Sequence, residues 1–149
     1  AVEDLQRKAP YSKLLSDLWS HIKEEERTLY RRFEGHVLAW GLGRNGELGL
    51  GDNLTTRRTP TVISRGLRGV SVKNVVAGAA HVLCLSMDGN VYSWGRGKDG
   101  RLGHGDYLDR WEPCTVELLR GEKVSLVAAG KAHSLAVALP QTVYTWGRG

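Results

Sequence analysis

A repeat of about 52 residues is the feature that most constrains how this chain can fold. The stretch VYSWGRGKDGRLGHGD at 91–106 has a counterpart, VLAWGLGRNGELGLGD, at 37–52, and the pattern begins again as VYTWGRG at 143–149. Trp40, Trp94 and Trp146 therefore hold one repeat position, and we expect all three in like environments, packed in the core or between repeats. A chain of this kind is built from similar units that bury their flanks against one another.

Short apolar segments with alternating polarity fill residues 36–149 and predict an all-β fold. Two of them, HVLCLS and HSLAVA, have no charged face, so we expect both to be buried on both sides, as strands in a propeller blade are. Asp88-Gly89 is a strong hairpin signal between two of the segments. The predicted strands lie near 36–40, 61–64, 71–77, 81–86, 90–94, 114–118, 123–129, 133–138 and 142–146.

The combined pattern W-G-x-G-x-x-G-x-L-G-x-G-D, then a proline, then V-A-x-G-x-x-H-x-L-x-L, resembles the regulator of chromosome condensation repeat family. The resemblance divides the chain into repeats at 36–89, 90–140 and 141–149, the last of them partial. It implies a seven-bladed type of β-propeller, of which this chain holds two blades and the start of a third. Since two blades cannot close a ring, we expect either a fragment or a propeller that is completed by oligomerisation.

The same resemblance implies three functions. The first is a non-catalytic protein-interaction module within a larger protein or assembly. The second is guanine-nucleotide exchange on a small Ran-like GTPase, which involves no covalent chemistry. The third is attachment to nucleosomes in chromatin.

Residues 1–35 form a separate segment with a helical pattern. Apolar side chains recur at three- and four-residue spacing and predict an amphipathic helix over 12–33. Such a helix either packs on the neighbouring repeats or docks on a partner.

The net charge of +5 lies entirely in residues 36–149, because basic and acidic side chains balance in residues 1–35. Much of it falls in the W-G-x-G loops, which would emerge together on one face of radially arranged blades, so we expect a surface for an acidic protein or a phosphate. Trp111 departs from the repeat, where Arg58 is its counterpart, and we expect it to be a contact residue in a loop. The predicted partner-binding residues are Arg44, Arg96, Lys98, Arg101, Trp111 and Arg148.

No other motif predicts catalysis, a cofactor or a metal. The G-x-G-x-x-G strings at 41–46 and 95–100 are followed by more glycine, so they predict turns and not a dinucleotide site. His81 and His133 recur at the repeat period and are predicted to be structural. Cys84 and Cys114 are predicted packing residues, which favours a reducing intracellular compartment, the cytoplasm or the nucleus. No apolar stretch is long enough to cross a membrane.

Overall fold

A computed structural model describes residues 36–52 and 55–149, and the segment 1–35 with its predicted helix lies outside this part. The described residues form nine strands and two 3-10 turns, Lys98–Gly100 and Glu117–Leu119. The strands are β1 (Leu38–Leu42), β2 (Thr56–Val62), β3 (Val72–Ala77), β4 (His81–Ser86), β5 (Val91–Gly95), β6 (Arg110–Thr115), β7 (Val124–Ala129), β8 (His133–Ala138) and β9 (Thr142–Gly147).

The strands form three antiparallel sheets, which confirms the all-β prediction. The first sheet is β1-β2, the middle sheet is β3-β4-β5-β6 and the last sheet is β7-β8-β9. The sheets are offset from the sequence repeats, because residues 36–89 supply β1 and β2 to the first sheet but β3 and β4 to the middle one. Each of the two full repeats therefore links two neighbouring sheets covalently.

Strands β2 and β6 begin earlier than the sequence pattern predicts, at Thr56 and Arg110 rather than near 61 and 114. They begin with TRRTP and RWEP, which are mostly polar and contain proline. Both strands lie at a sheet edge within the described residues, where a strand needs only one hydrogen-bonded neighbour and tolerates proline. Alternation of polarity is therefore a poor guide at these two places.

The middle sheet is packed on both of its faces. Leu83 and Leu85 of β4 belong to a buried cluster with Val127 and Ala136 of the last sheet. Cys84, on the opposite side of β4, belongs to a second cluster that includes Ile63, which follows the first sheet. The prediction that both faces of HVLCLS are buried is thus confirmed.

The same prediction is wrong for HSLAVA, which is β8. Ser134, Ala136 and Ala138 are buried, but Leu135 and Val137 are partly exposed and His133 is exposed. The reason is that β8 lies in the last sheet, and among the described residues only the middle sheet packs against it, on one side.

The repeat tryptophans show how one unit seats on the next. The Trp94 indole N–H donates to the Glu47 carbonyl oxygen at 2.9 Å, and its ring lies so close to Gly49 that a Cβ there would stand 2.7 Å from Nε1. Trp146 repeats this contact on the following loop, with 2.9 Å to the Arg101 carbonyl and the ring against Gly103. Each tryptophan therefore needs a glycine-rich loop from the repeat before it.

Trp40 does not share this environment, contrary to the prediction. It is 61% exposed, whereas Trp94 is 1% exposed. The described residues contain no glycine-rich loop before Trp40, so its ring lacks the packing contact that Gly49 provides for Trp94 and Gly103 for Trp146. The position in the repeat is the same, but the burial depends on the neighbouring unit.

Candidate partner-binding surface

The long connections of the sheets emerge at one end of the structure, which we call the loop face (residues 43–52, 96–109 and 148–149). Neighbouring repeats contact one another there. The Gly51 N–H donates to the Trp111 carbonyl oxygen at 2.8 Å, and Arg148 Nη1 lies 3.9 Å from Asp99 Oδ1. Successive repeats are thus in contact at the loop face.

Repeated polar contacts hold these loops in shape. Asp106 accepts the Leu108 N–H at 2.9 Å and pairs with Arg110 at 2.6 Å. The Leu108 N–H, and next the Arg110 guanidinium, lower the pKa of the Asp106 carboxyl. Asp52 and Arg57 form the equivalent ion pair in the preceding repeat. The loops therefore present their exposed side chains from a fixed backbone.

The structure places Arg101 inside the protein and not on its surface. The side chain is buried, with Nε donating to the Lys98 carbonyl at 2.7 Å and Nη2 to Asp99 at 2.8 Å. Nη1 donates to the carbonyl of Lys131, in the turn between β7 and β8 of the last sheet, at 3.1 Å. Arg101 therefore joins the loop that follows β5 of the middle sheet to the last sheet, and we leave it out of the partner-binding surface.

A buried histidine extends the same junction. His81 Nε2 lies 2.8 Å from Ser134 Oγ, and that hydroxyl donates to the Arg101 carbonyl at 2.8 Å. Because the hydroxyl donates to the carbonyl, it accepts from His81, which places the imidazole proton on Nε2. The ring packs on Gly78, where a Cβ would stand 2.6 Å from Cε1, and this explains the spacing of glycine and histidine in the repeat.

We predict that His81 makes the chain less stable in acid. Burial, and next the charge of Arg101, lower the pKa of His81 from 6.5 to about 4. The unfolded chain therefore binds a proton at this histidine below pH 6.5, whereas the folded chain binds it only near pH 4. The contribution of neutral His81 to the free energy of unfolding is therefore fully present above pH 6.5 and is lost as the pH falls toward 4. Between pH 7 and 4.5 we expect the free energy of unfolding to fall by roughly 2 kcal/mol more than in His81→Gln. Equal pH profiles in urea denaturation would contradict this assignment.

Lys98 and Arg148 come together on the loop face. They line an open depression of about 510 Å³ with Asp99, Tyr107 and Gly147. Both basic side chains are exposed, and they belong to successive repeats. Arg44 is exposed in the preceding loop and Arg96 is partly exposed beside Gly95, so four of the predicted basic residues remain accessible.

The structure separates Trp111 from the loops and introduces Tyr107 into them. Trp111 lies in β6, partly buried, with its backbone against the loop of the preceding repeat, so its predicted place in a loop is wrong. Tyr107 is 75% exposed at the rim of the depression. Its departure from the repeat, in which Asn53 is the counterpart, is the sequence signal that could have identified it.

The remaining motifs have structural roles. Gly41, Gly46, Gly95 and Gly100 adopt positive φ, and turns rather than an α-helix follow them in both loops, as predicted. Cys84 and Cys114 are free thiols, and burial raises the pKa of Cys84 to about 12 and also raises that of Cys114. Within residues 36–52 and 55–149, no group of three histidine, cysteine or acidic side chains could hold a metal ion. No helix in this part is both long and apolar enough to span a bilayer.

The fold and its repeated loops define a propeller-type repeat protein, and sequence comparison identifies the family. Residues 34–85 and 88–137 match the family model of the regulator of chromosome condensation (RCC1) repeat, and residues 72–101 match a second model of this repeat. The chain belongs to the RCC1 repeat family.

Several characterised proteins are similar to this chain. It is 42% identical over 118 residues to the human E3 ubiquitin-protein ligase HERC2, which covers 78% of this chain and 2% of HERC2. It is also 42% identical over 114 residues to the Arabidopsis thaliana ultraviolet-B receptor UVR8, covering 76% of this chain and 26% of the receptor. The chain thus spans a small part of the length of these relatives.

Solved structures agree with the propeller assignment. Human WBSCR16 superposes with a TM-score of 0.72 at 27% identity, covering 78% of this chain and 29% of that protein. Yeast RCC1 (Prp20), solved bound to Kap60, superposes with a TM-score of 0.66 at 29% identity, covering 75% of this chain and 28% of its own. The chain is therefore an RCC1-repeat β-propeller module.

Proposed function

We propose that the chain is a non-catalytic interaction module whose loop face binds an acidic protein surface. The observation that supports this most directly is the depression between successive repeats, where exposed Lys98 and Arg148 flank exposed Tyr107. Tyrosine and arginine are enriched where proteins bind one another, and exposed positive charge speeds encounter with an acidic partner. Arg44, Arg96 and Trp111 extend the proposed surface on neighbouring loops and on β6.

Asp99 limits how positive this depression is. Its carboxylate pairs with buried Arg101 at 2.8 Å and stands 3.9 Å from Arg148. Lys98 is exposed beside it. The positive charge of the depression therefore comes from Lys98 and from Arg148, whose charge Asp99 offsets only in part. A partner with separated carboxylates fits this arrangement better than one compact anion does.

We expect the double change Lys98→Glu and Arg148→Glu to weaken binding of a glutamate-rich peptide by roughly tenfold or more at low salt. Attraction becomes repulsion at both edges of the depression, while the fold is kept because both side chains are exposed. Fluorescence titration at two salt concentrations measures the change.

Arg68→Glu with Lys123→Glu is the matched control, since both residues are exposed at the opposite end of the sheets. This control alters the net charge by the same amount. If it weakens binding as much as the loop-face variant does, overall charge is responsible and the proposed surface is wrong.

Guanine-nucleotide exchange on a small GTPase is the second candidate. This candidate is supported by similarity to Prp20p of Saccharomyces cerevisiae, which superposes with a TM-score of 0.64 at 28% identity. The structure of Prp20p was described together with its binding to Gsp1p and histones. Release of fluorescent GDP from a Ran-like GTPase tests it, and acceleration by this chain would favour exchange over a purely binding role. Salt-dependent binding to reconstituted nucleosomes tests the chromatin alternative.

The predicted helix at 12–33 and the compartment complete the proposal. The helix would dock on the partner through its apolar face, an inference from its sequence alone. Placement in the cytoplasm or nucleus is supported by the two free thiols, because reducing compartments keep cysteines unpaired.

A further inference from the structure

Strand β2 carries the sequence Arg57-Arg58-Thr59-Pro60, which no function described above uses. Thr59-Pro60 is the one place in the whole chain where a serine or threonine precedes proline. Proline disfavours the helical region for the residue before it and so holds Thr59 in an extended backbone. Protein kinases bind the segment around their acceptor hydroxyl in an extended conformation, so this segment has a suitable shape.

The structure makes the segment accessible. The ladder between β1 and β2 changes register between Ala39 and Gly41, so the ladder partners resume at Thr61 and Arg57 and leave residues 58–60 between them. Arg58, Thr59 and Pro60 are all exposed. In the described part of the chain β2 pairs only with β1, so its other edge has no strand partner among these residues.

The next repeat shows that a negative charge is compatible with this position. Strand β6 has the same register change between Ser93 and Gly95, and Glu112 precedes Pro113 there as Thr59 precedes Pro60. A Cβ built on Gly51 would stand 3.0 Å from Glu112 Oε2 and 3.3 Å from Arg65 Nη1, so the carboxylate lies near an arginine of the preceding repeat. A carboxylate thus occupies the position in one repeat where the other has a hydroxyl.

We propose that Thr59 is a phosphorylation site for a proline-directed serine/threonine protein kinase. Its Oγ1 attacks the γ-phosphorus of Mg-ATP, the bond from that phosphorus to the β–γ bridging oxygen breaks, ADP leaves, and the hydroxyl proton passes to the catalytic base of the kinase. The product carries a charge of roughly −2 next to Arg57 and Arg58, and guanidinium groups pair well with phosphate oxygens. Phosphorylation would therefore lower the positive charge of the repeats. Binding of the acidic partner in the proposed function depends on that charge.

The test uses the 149-residue chain, a purified proline-directed kinase and Mg-ATP, with intact-mass and fragment-ion mass spectrometry. We expect one phosphate, on Thr59, and none there in Thr59→Ala. Pro60→Ala should lower the initial rate by roughly tenfold or more, because the kinase selects the residue after the acceptor. Thr56→Ala, an exposed hydroxyl on the same strand, should leave the rate unchanged.

Circular dichroism of each variant shows whether the fold is retained, and a synthetic peptide of residues 55–63 reports whether the kinase accepts the sequence. A phosphate on another residue at a rate unaffected by Thr59→Ala would overturn the proposal. So would phosphorylation of the peptide but not of the folded chain, or of neither.

Discussion

Replacing Trp94 with alanine is expected to lower the free energy of unfolding by about 3–5 kcal/mol. The side chain is fully buried, its indole N–H donates to the Glu47 carbonyl, and its ring covers Gly49. The change would remove this packing, leave a cavity between two repeats and leave a buried carbonyl without its donor. Urea denaturation, followed by far-ultraviolet circular dichroism, measures the loss.

Trp40→Ala is the matched control, because Trp40 holds the same repeat position but is largely exposed. We expect it to lower the free energy of unfolding by less than about 1 kcal/mol. Equal losses at the two positions would mean that the tryptophan stabilises its own strand and not the junction with the preceding loop.

The second large effect is expected at Arg101. Arg101→Met should lower the free energy of unfolding by about 2–4 kcal/mol, because it removes three donors from a buried junction. The Lys131 carbonyl and the Asp99 carboxylate would each lose a partner, and the contact between the middle and last sheets would lose its guanidinium. Lysine should not restore stability, since one ammonium group cannot reach three acceptors that a planar guanidinium meets in different directions.

Arg96→Met serves as the comparison. Arg96 stands in the same loop, partly exposed, and its replacement should change stability by no more than about 0.5 kcal/mol. If Arg101→Met unfolds at the same urea concentration as Arg96→Met, or if Arg101→Lys is fully stable, the junction described for Arg101 is wrong.

Much of the fold is predictable because the chain repeats. The period identified the tryptophans, and the apolar alternation placed β3, β4, β5, β7, β8 and β9 close to their observed ends. The edge strands were harder, since proline and arginine in TRRTP break the alternation while the backbone still pairs with β1. An edge strand has weaker sequence requirements than a central one.

The burial of particular side chains was less predictable, because it depends on the neighbouring unit. Trp40 and Trp94 are identical in local pattern, yet only Trp94 has a glycine-rich loop of the preceding repeat beneath it. The sequence predicted Arg101 to be an exposed loop charge, but its side chain is buried. Its counterpart Glu47 also folds back onto its own loop, where its carboxylate accepts the Asn45 backbone N–H at 2.7 Å. A residue type in a loop does not reveal whether the loop folds back over it.

Hydrogen exchange of the tryptophan indole N–H groups tests whether the repeat tryptophan packs on, and donates to, the loop of the preceding repeat. The measurement is made by NMR on the 149-residue chain labelled with ¹⁵N-tryptophan, with assignments from single Trp→Phe variants. We expect slow exchange for Trp94 and Trp146, whose indoles donate to the Glu47 and Arg101 carbonyls, and fast exchange for exposed Trp40. Exchange at Trp94 as fast as at Trp40 would contradict this expectation.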